Sequence, residues 1–251
     1  MVIAELLLAA GAGLIGGAMN ALAGGGTFVT MPALIALGLP SPIANATSNV
    51  ALQPGAIASA WTYRSGLGPL GGISVRTLAV TTFIGAVAGG LLLVATPVRT
   101  FDLVVPWLLL FATVALALGR RAADWLHARV AIGPRTLVGT QLMLGIYGGY
   151  FGGGVGLITM AAWGLLAGHE PHELAAPRTL MLAIGNAAAT IVFVACLMVH
   201  WAPCLPMLAG AVAGGTLGAR LGRRLSPRAI RIWTLLVTGI TTATFFYRAY
   251  A

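Results

Sequence analysis

Apolar residues dominate this chain in long blocks, and the polar positions between them mark where each block stops. Val2–Leu22 is apolar apart from Glu5 and Asn20, which predicts a helix long enough to enter or cross a hydrocarbon layer about 30 Å thick. Full-length blocks follow at Ile43–Tyr63, Thr77–Ala95, Phe101–Leu118, Thr179–Val199, Pro203–Leu221 and Ile230–Tyr247. Two others are interrupted. Gly24-Gly25-Gly26 separates the first block from the short run Thr27–Gly38, and Gly152-Gly153-Gly154 separates Thr136–Phe151 from Val155–Ala167. Three adjacent glycines cost a helix about 1 kcal/mol each relative to alanine, so both blocks are expected to break there. Unpaired backbone inside a membrane is tolerated only where it is buried in protein or lines a polar cavity. A matched pair of such breaks points to a transporter's binding site.

The halves also repeat outside the triplets. Gly85-Ala86-Val87-Ala88-Gly89-Gly90 recurs letter for letter as Gly210-Ala211-Val212-Ala213-Gly214-Gly215, and Ala44-x-x-Thr47 has a counterpart in Ala176-x-x-Thr179. The expected organisation is a first transmembrane repeat over 1–119, a linker over 120–135 and a second transmembrane repeat over 136–251. The fold class is all-α and polytopic: two inverted-topology repeats, each a glycine-broken hairpin plus three transmembrane helices.

Composition narrows the class. Of 251 residues, 59% are hydrophobic and 8% charged, against about 25% charged in soluble domains. Glycine supplies 35 residues; Gly13-x3-Gly17, Gly85-x3-Gly89, Gly145-x3-Gly149 and Gly210-x3-Gly214 are spaced to bring membrane helices close together. The net charge of +9 comes from fourteen arginines and five acids, with no lysine. In a soluble protein that balance suggests nucleic acid; here the arginines fall between apolar blocks, where they report topology. Eight simple crossings would divide them seven to seven. If each triplet stretch returns as a hairpin, twelve gather on one face, and only Arg99 and Arg248 remain opposite. The positive-inside tendency favours the hairpins. Both termini are then outside, with the linker and the Arg220–Arg231 loop cytoplasmic, in the inner membrane of a cell. The second half enters from the opposite face, which makes the repeats inverted.

The first block shows no basic start followed by a small-residue cleavage site, as a signal peptide would. Cys196 and Cys204 lack metal-like spacing. His169-Glu170-Pro171-His172-Glu173 holds four ligand types but reads as a solvated loop, and His127 and His200 as isolated structural residues. No metal and no cofactor are expected. The chain lacks a Gly-x4-Gly-Lys-[Ser/Thr] loop, which excludes ATP-driven pumping by a P-loop in this chain. Glu5 and Asp102 sit near the outer face, so no acid is placed as a proton relay, and a gradient-driven uniporter is open.

A small anion needs donors that do not trap it. Helix starts supply them, because their free N–H groups and dipole favour negative charge. Gly24, Gly25, Gly26 and Thr27, facing Gly152, Gly153, Gly154 and Val155, form the expected cradle. Asn20, Asn45, Thr47, Asn49 and Gln53 are the expected side-chain contacts, the alternative being that they bond neighbouring helices. Arg178, with Thr179 and Asn186 beyond it, is a candidate counter-charge, its alternative a snorkelling anchor.

The order of these features resembles the TauE/SafE family of membrane transporters, the sulfite exporter family. The residues carrying the likeness are Gly24-Gly25-Gly26 through Pro32-Ala33-Leu34, Gly38-Leu39-Pro40, Ala44 to Asn49, and Gly152-Gly153-Gly154. The resemblance spans nearly the whole chain and implies movement of small sulfur-containing anions such as sulfite or organosulfonates, sulfoacetate among them. Ala161-Ala162 stands where the first half has Pro32-Ala33, and Pro177-Arg178 precedes Thr179; both departures bear on the substrate. Expected partners are that anion and the lipid bilayer, with no nucleic acid; a homo-oligomer is compatible with the sequence. The competing readings are a membrane enzyme, for which no Ser/His/Asp or His/Glu set has workable spacing, and a structural membrane subunit.

Overall fold

A computed structural model of the chain describes residues 2–127, 134–167, 174–222 and 225–250. Ten α-helices account for nearly all of it: α1 (Ile3–Ala23), α2 (Thr27–Ala36), α3 (Ser41–Tyr63), α4 (Val75–Ala95), α5 (Val98–His127), α6 (Pro134–Tyr150), α7 (Val155–Ala167), α8 (Ala175–Ala195), α9 (Trp201–Gly222) and α10 (Pro227–Tyr250). No strand is present among the described residues. Among the described residues five helices are long and apolar enough to cross a membrane: α1, α4, α5 over Val98–Leu118, α8, and α10 over Arg228–Tyr250.

Both predicted breaks are present. Helix α1 stops because Gly24 adopts φ +75°, a left-handed conformation that satisfies its N–H on the Asn20 carbonyl and that only glycine adopts freely. In the second half Gly152 and Gly154 sit at φ +73° and +74°. Each break reverses the chain. Thr30 of α2 packs beside Gly16 of α1, and Trp163 of α7 donates its indole N–H to the Gln141 side chain of α6 at 2.9 Å. One cavity is lined by Glu5 at the start of α1 and by Leu37 to Pro40 beyond the end of α2. The first stretch therefore returns to the end of the bundle from which it came, as a hairpin.

Several boundaries differ from the expected ones. Helix α3 begins at Ser41 and α8 at Ala175, not at Ile43 and Thr179, because Pro42 and Pro177 occupy first-turn positions where no N–H is needed. Helix α8 ends at Ala195, short of Val199, and Leu197 turns the chain at φ +56°. Helix α5 continues to His127, so part of the expected linker is helix. Residues 128–133, the 169–173 loop, Arg223 and Arg224 lie outside the described residues.

Two seams organise the bundle, α1 along α9 and α4 along α6. Glycine makes both possible. A β-carbon placed on Gly13 or Gly17 would collide with the backbone of Met207 or Ala211, and one on Gly210 or Gly214 with that of Ala10 or Leu14. The second seam repeats this: Gly85 and Gly89 meet the backbone around Leu142 and Ile146, and Gly145 and Gly149 meet that of Thr82 and Ala86. All four G-x3-G pairs are used, each binding a helix of one half to a helix of the other. Helices α3 and α8 cross between the seams.

The two ends of the bundle differ in charge. Arg231 reaches the Ala117 carbonyl where α10 starts and α5 nears its end; the Tyr250 hydroxyl reaches the Leu103 carbonyl at the opposite end. Arg64, Arg76, Arg120, Arg121, Arg135, Arg178, Arg220, Arg228 and Arg231 fall at the first end, and Arg99 and Arg248 at the second.

Candidate functional site

The two breaks meet inside the protein. The Cα of Gly156 lies 3.3 Å from a β-carbon built on Gly24, and the Phe28 ring lies 3.2 Å from one built on Gly154. Gly24, Gly25, Gly26 and Thr27 are buried, as are Gly153, Gly154 and Val155, and Gly152 is half-buried. Backbone so placed must find its hydrogen bonds within the protein. Neighbouring side chains supply several. The Tyr147 hydroxyl donates to the Gly153 carbonyl at 2.8 Å, Thr30 to that of Gly26 at 3.1 Å, and Thr241 to that of Phe28 at 3.0 Å. The N–H groups of Gly25, Gly26 and Thr27, and of Gly153, Gly154 and Val155, have no acceptor among the described residues. These are the starts of α2 and α7, where an anion is favoured.

Helix α3 supplies the polar row beside the breaks. Asn45, Asn49 and Gln53 are spaced four apart and so share one face. All three amide nitrogens cross into the second half: Asn45 to the Tyr150 carbonyl, Asn49 to the Asn186 carbonyl and the Thr190 hydroxyl, and Gln53 to the Ala183 carbonyl, each at 3.1 Å. Asn45 thereby caps the end of α6 just before the second break. The Asn45 and Gln53 amide oxygens are sealed from the outside and have no partner among the described residues. Thr47 faces elsewhere: its hydroxyl accepts the His200 N–H at 3.0 Å, fixing the start of α9. Thr179 turns its hydroxyl back onto the Ala175 and Ala176 carbonyls of its own helix.

A cavity of about 400 Å³ opens at the arginine-rich end, between α1, α3 and α9. Asn20 and Arg178 of the expected set line it, together with Ser59, Thr62, Tyr63 and Thr216. Arg178 is half-buried there. One guanidinium nitrogen lies 3.2 Å from the Met160 sulfur, and Nε is sealed off without a partner. No carboxylate pairs with it among the described residues. A buried charge is costly unless paired, and the described residues give this guanidinium only the Met160 sulfur. The triplets do not line this cavity; Leu22, two residues before Gly24, is where it comes nearest to the first break along the chain. A second, water-sized space of about 10 Å³ lies among Thr82, Gln141, Thr159, Val155 and Asn186.

Tyr147 and the Ser59–Thr62–Tyr63 group were missed from the sequence. A tyrosine five residues before a glycine break is a signal in retrospect, since a buried phenol needs a partner. Ser59, Thr62 and Tyr63 continue the polar face of α3 by three- and four-residue steps.

Two opposed broken hairpins held within a bundle of apolar helices define an integral membrane protein of the transporter class. The family model for the TauE/SafE sulfite exporters matches residues 9–245, and the chain belongs to that family. It is 27% identical over 243 residues to a probable membrane transporter protein of Haemophilus influenzae, covering 94% of this chain and 92% of that one. It is 26% identical over 235 residues to the probable membrane transporter protein YfcA of Escherichia coli K12, covering 93% and 87%. No solved structure matches.

Proposed function

We propose that this protein is a secondary permease for small sulfur-containing anions such as sulfite or organosulfonates, sulfoacetate among them. It works by alternating access at a midplane site between two inverted repeats. The observation that carries this is Arg178: a guanidinium beside a polar cavity, with no carboxylate partner among the described residues. The guanidinium fork suits the oxygens of a sulfite or sulfonate group. Beyond it, the unpaired N–H groups of α2 and α7 offer neutral donors to an anion that has moved inward. A single cation at the mouth and dipoles at the centre let a ligand bind and leave.

The arrangement of the repeats supports the same reading. Exchanging α1–α5 with α6–α10 converts each glycine seam into the other, as an inverted duplication requires. The arginine-rich end is the cytoplasmic one by the positive-inside tendency, which puts both termini outside the inner membrane. Transport, not catalysis, is what a polar cavity that stops short of two buried helix starts is suited to.

The test is flux of labelled sulfite and sulfoacetate into liposomes holding only this protein, with sulfate and a simple carboxylate alongside. Saturable uptake of the sulfur anions, reduced in Arg178→Gln, is the expected result. Uptake no faster than in protein-free liposomes overturns the proposal.

A further inference from the structure

The letter-for-letter hexapeptide sits in two different surroundings. In α9 the copy Gly210–Gly215 turns Ala211, Val212 and Gly215 toward the open 400 Å³ cavity. A β-carbon on Gly215 would meet nothing nearer than the Gly17 carbonyl oxygen at 3.9 Å. In α4 the copy Gly85–Gly90 is closed over. Gly90 is buried, and a β-carbon there would lie 3.3 Å from the Val192 β-carbon and 3.6 Å from the Phe193 ring.

The opposing walls correspond as well. Across the open cavity from Gly215 stand Ala58, Ser59 and Thr62 of α3. The spacing of 132 between Thr47 and Thr179 carries that stretch onto Thr190, Ile191 and Val194 of α8, which brackets Val192 and Phe193. One seam, α9 against α3, is parted at the arginine-rich end. Its counterpart, α4 against α8, is shut toward the other end by Gly90, Val192 and Phe193, with Leu93 and Phe101 fully buried nearby in sequence on α4 and α5. Two copies of one sequence have the same intrinsic preferences, so a difference between their surroundings marks a difference of state.

We infer that the α4–α8 seam is the passage by which the anion reaches the other end of the bundle, and that Gly90 against Val192 and Phe193 is its gate, closed in this conformation. The passage is lined by small and apolar residues. The residue that corresponds to Arg178 at the same spacing is Ala46, so the gate seals by packing and holds no fixed charge to detain the anion. This rests on the transporter reading above, and it adds a route and a pair of gating surfaces.

The test is to lock the seam. In a Cys196→Ser background, Gly90→Cys with Val192→Cys places two β-carbons 3.3 Å apart, a few tenths of an ångström inside the roughly 3.5–4.5 Å that disulfides span. Oxidation with copper phenanthroline should bring sulfoacetate flux in liposomes down to that of protein-free vesicles, and reduction should restore it. Sulfoacetate, unlike sulfite, does not cleave a disulfide, and its binding from the Arg178 side should persist in the oxidised protein. Flux in the cross-linked protein equal to that in the reduced protein overturns the gate and leaves the transporter reading standing. Absence of flux in the unmodified chain overturns the transporter reading itself. Should the double variant not fold, Cys196→Ser with Val192→Cys alone answers the question. Its thiol should react with a membrane-impermeant maleimide faster when sulfoacetate is being transported, and a rate indifferent to sulfoacetate overturns the gate.

Discussion

Arg178 and Thr47 look alike as candidates in a polar sequence context, and the structure places them in different surroundings, Arg178 on the cavity wall and Thr47 against the start of α9. Replacing Arg178 by Gln removes a charged donor from the cavity and should lower sulfite flux about tenfold or more, while thermal unfolding changes little. Arg178→Lys should recover only part of the loss, since an ammonium lacks the planar fork. Thr47→Val should do the opposite. It strands the His200 N–H at the start of α9, which costs about 1–3 kcal/mol, and flux per folded molecule should be kept. Unfolding temperature and liposome flux measured together separate the two. What the sequence could not supply at this scale was direction. Asn45, Thr47 and Asn49 fall within five residues on one helix, yet a helix turns 100° per residue, and only their partners reveal which of them face the second half.

The glycine-rich helices carry the element-scale lesson. Gly89 and Gly214 meet the carbonyl oxygens of Ile146 and Leu14 so closely that no side chain fits. Gly89→Val or Gly214→Val should destabilise the protein by about 3 kcal/mol. Gly11→Ala, on the same helix as Gly13 but with nothing within 4 Å of its added carbon, should be neutral or stabilising by up to about 1 kcal/mol. Denaturation in detergent compares them. Valine at Gly25 or Gly153, in the breaks themselves, should abolish flux while protein still reaches the membrane; normal flux in both variants would remove the cradle. The breaks and all four G-x3-G pairs were legible beforehand because glycine has so few reasons to be retained in apolar helix. The identity of the partners was not, since spacing fixes a face and leaves open what lies against it. Helices α3 and α8 begin two and four residues ahead of the apolar blocks at Ile43 and Thr179, because Pro42 and Pro177 serve in their first turns and hydrophobicity alone does not mark such a start.

At the scale of the molecule, arginine counting decided between eight crossings and two hairpins, and the hairpins are what the packing of α1 on α2 and α6 on α7 displays. The proposed sides of the membrane rest on the positive-inside tendency and are open to direct measurement. A fluorescent protein that matures only in the cytoplasm should stay dark when fused after Ala251 and shine when fused into the linker near residue 130. A bright carboxyl-terminal fusion would reverse the orientation. The seams have a consequence for how the chain is made. Helix α1 emerges from the ribosome first, but the surface it is shaped to meet belongs to α9, some 190 residues later. Until then its glycine-lined flank faces lipid or a membrane chaperone. A nascent chain that ends after the first half should therefore be an unstable intermediate, cleared by proteases unless the second half is supplied, even as a separate polypeptide.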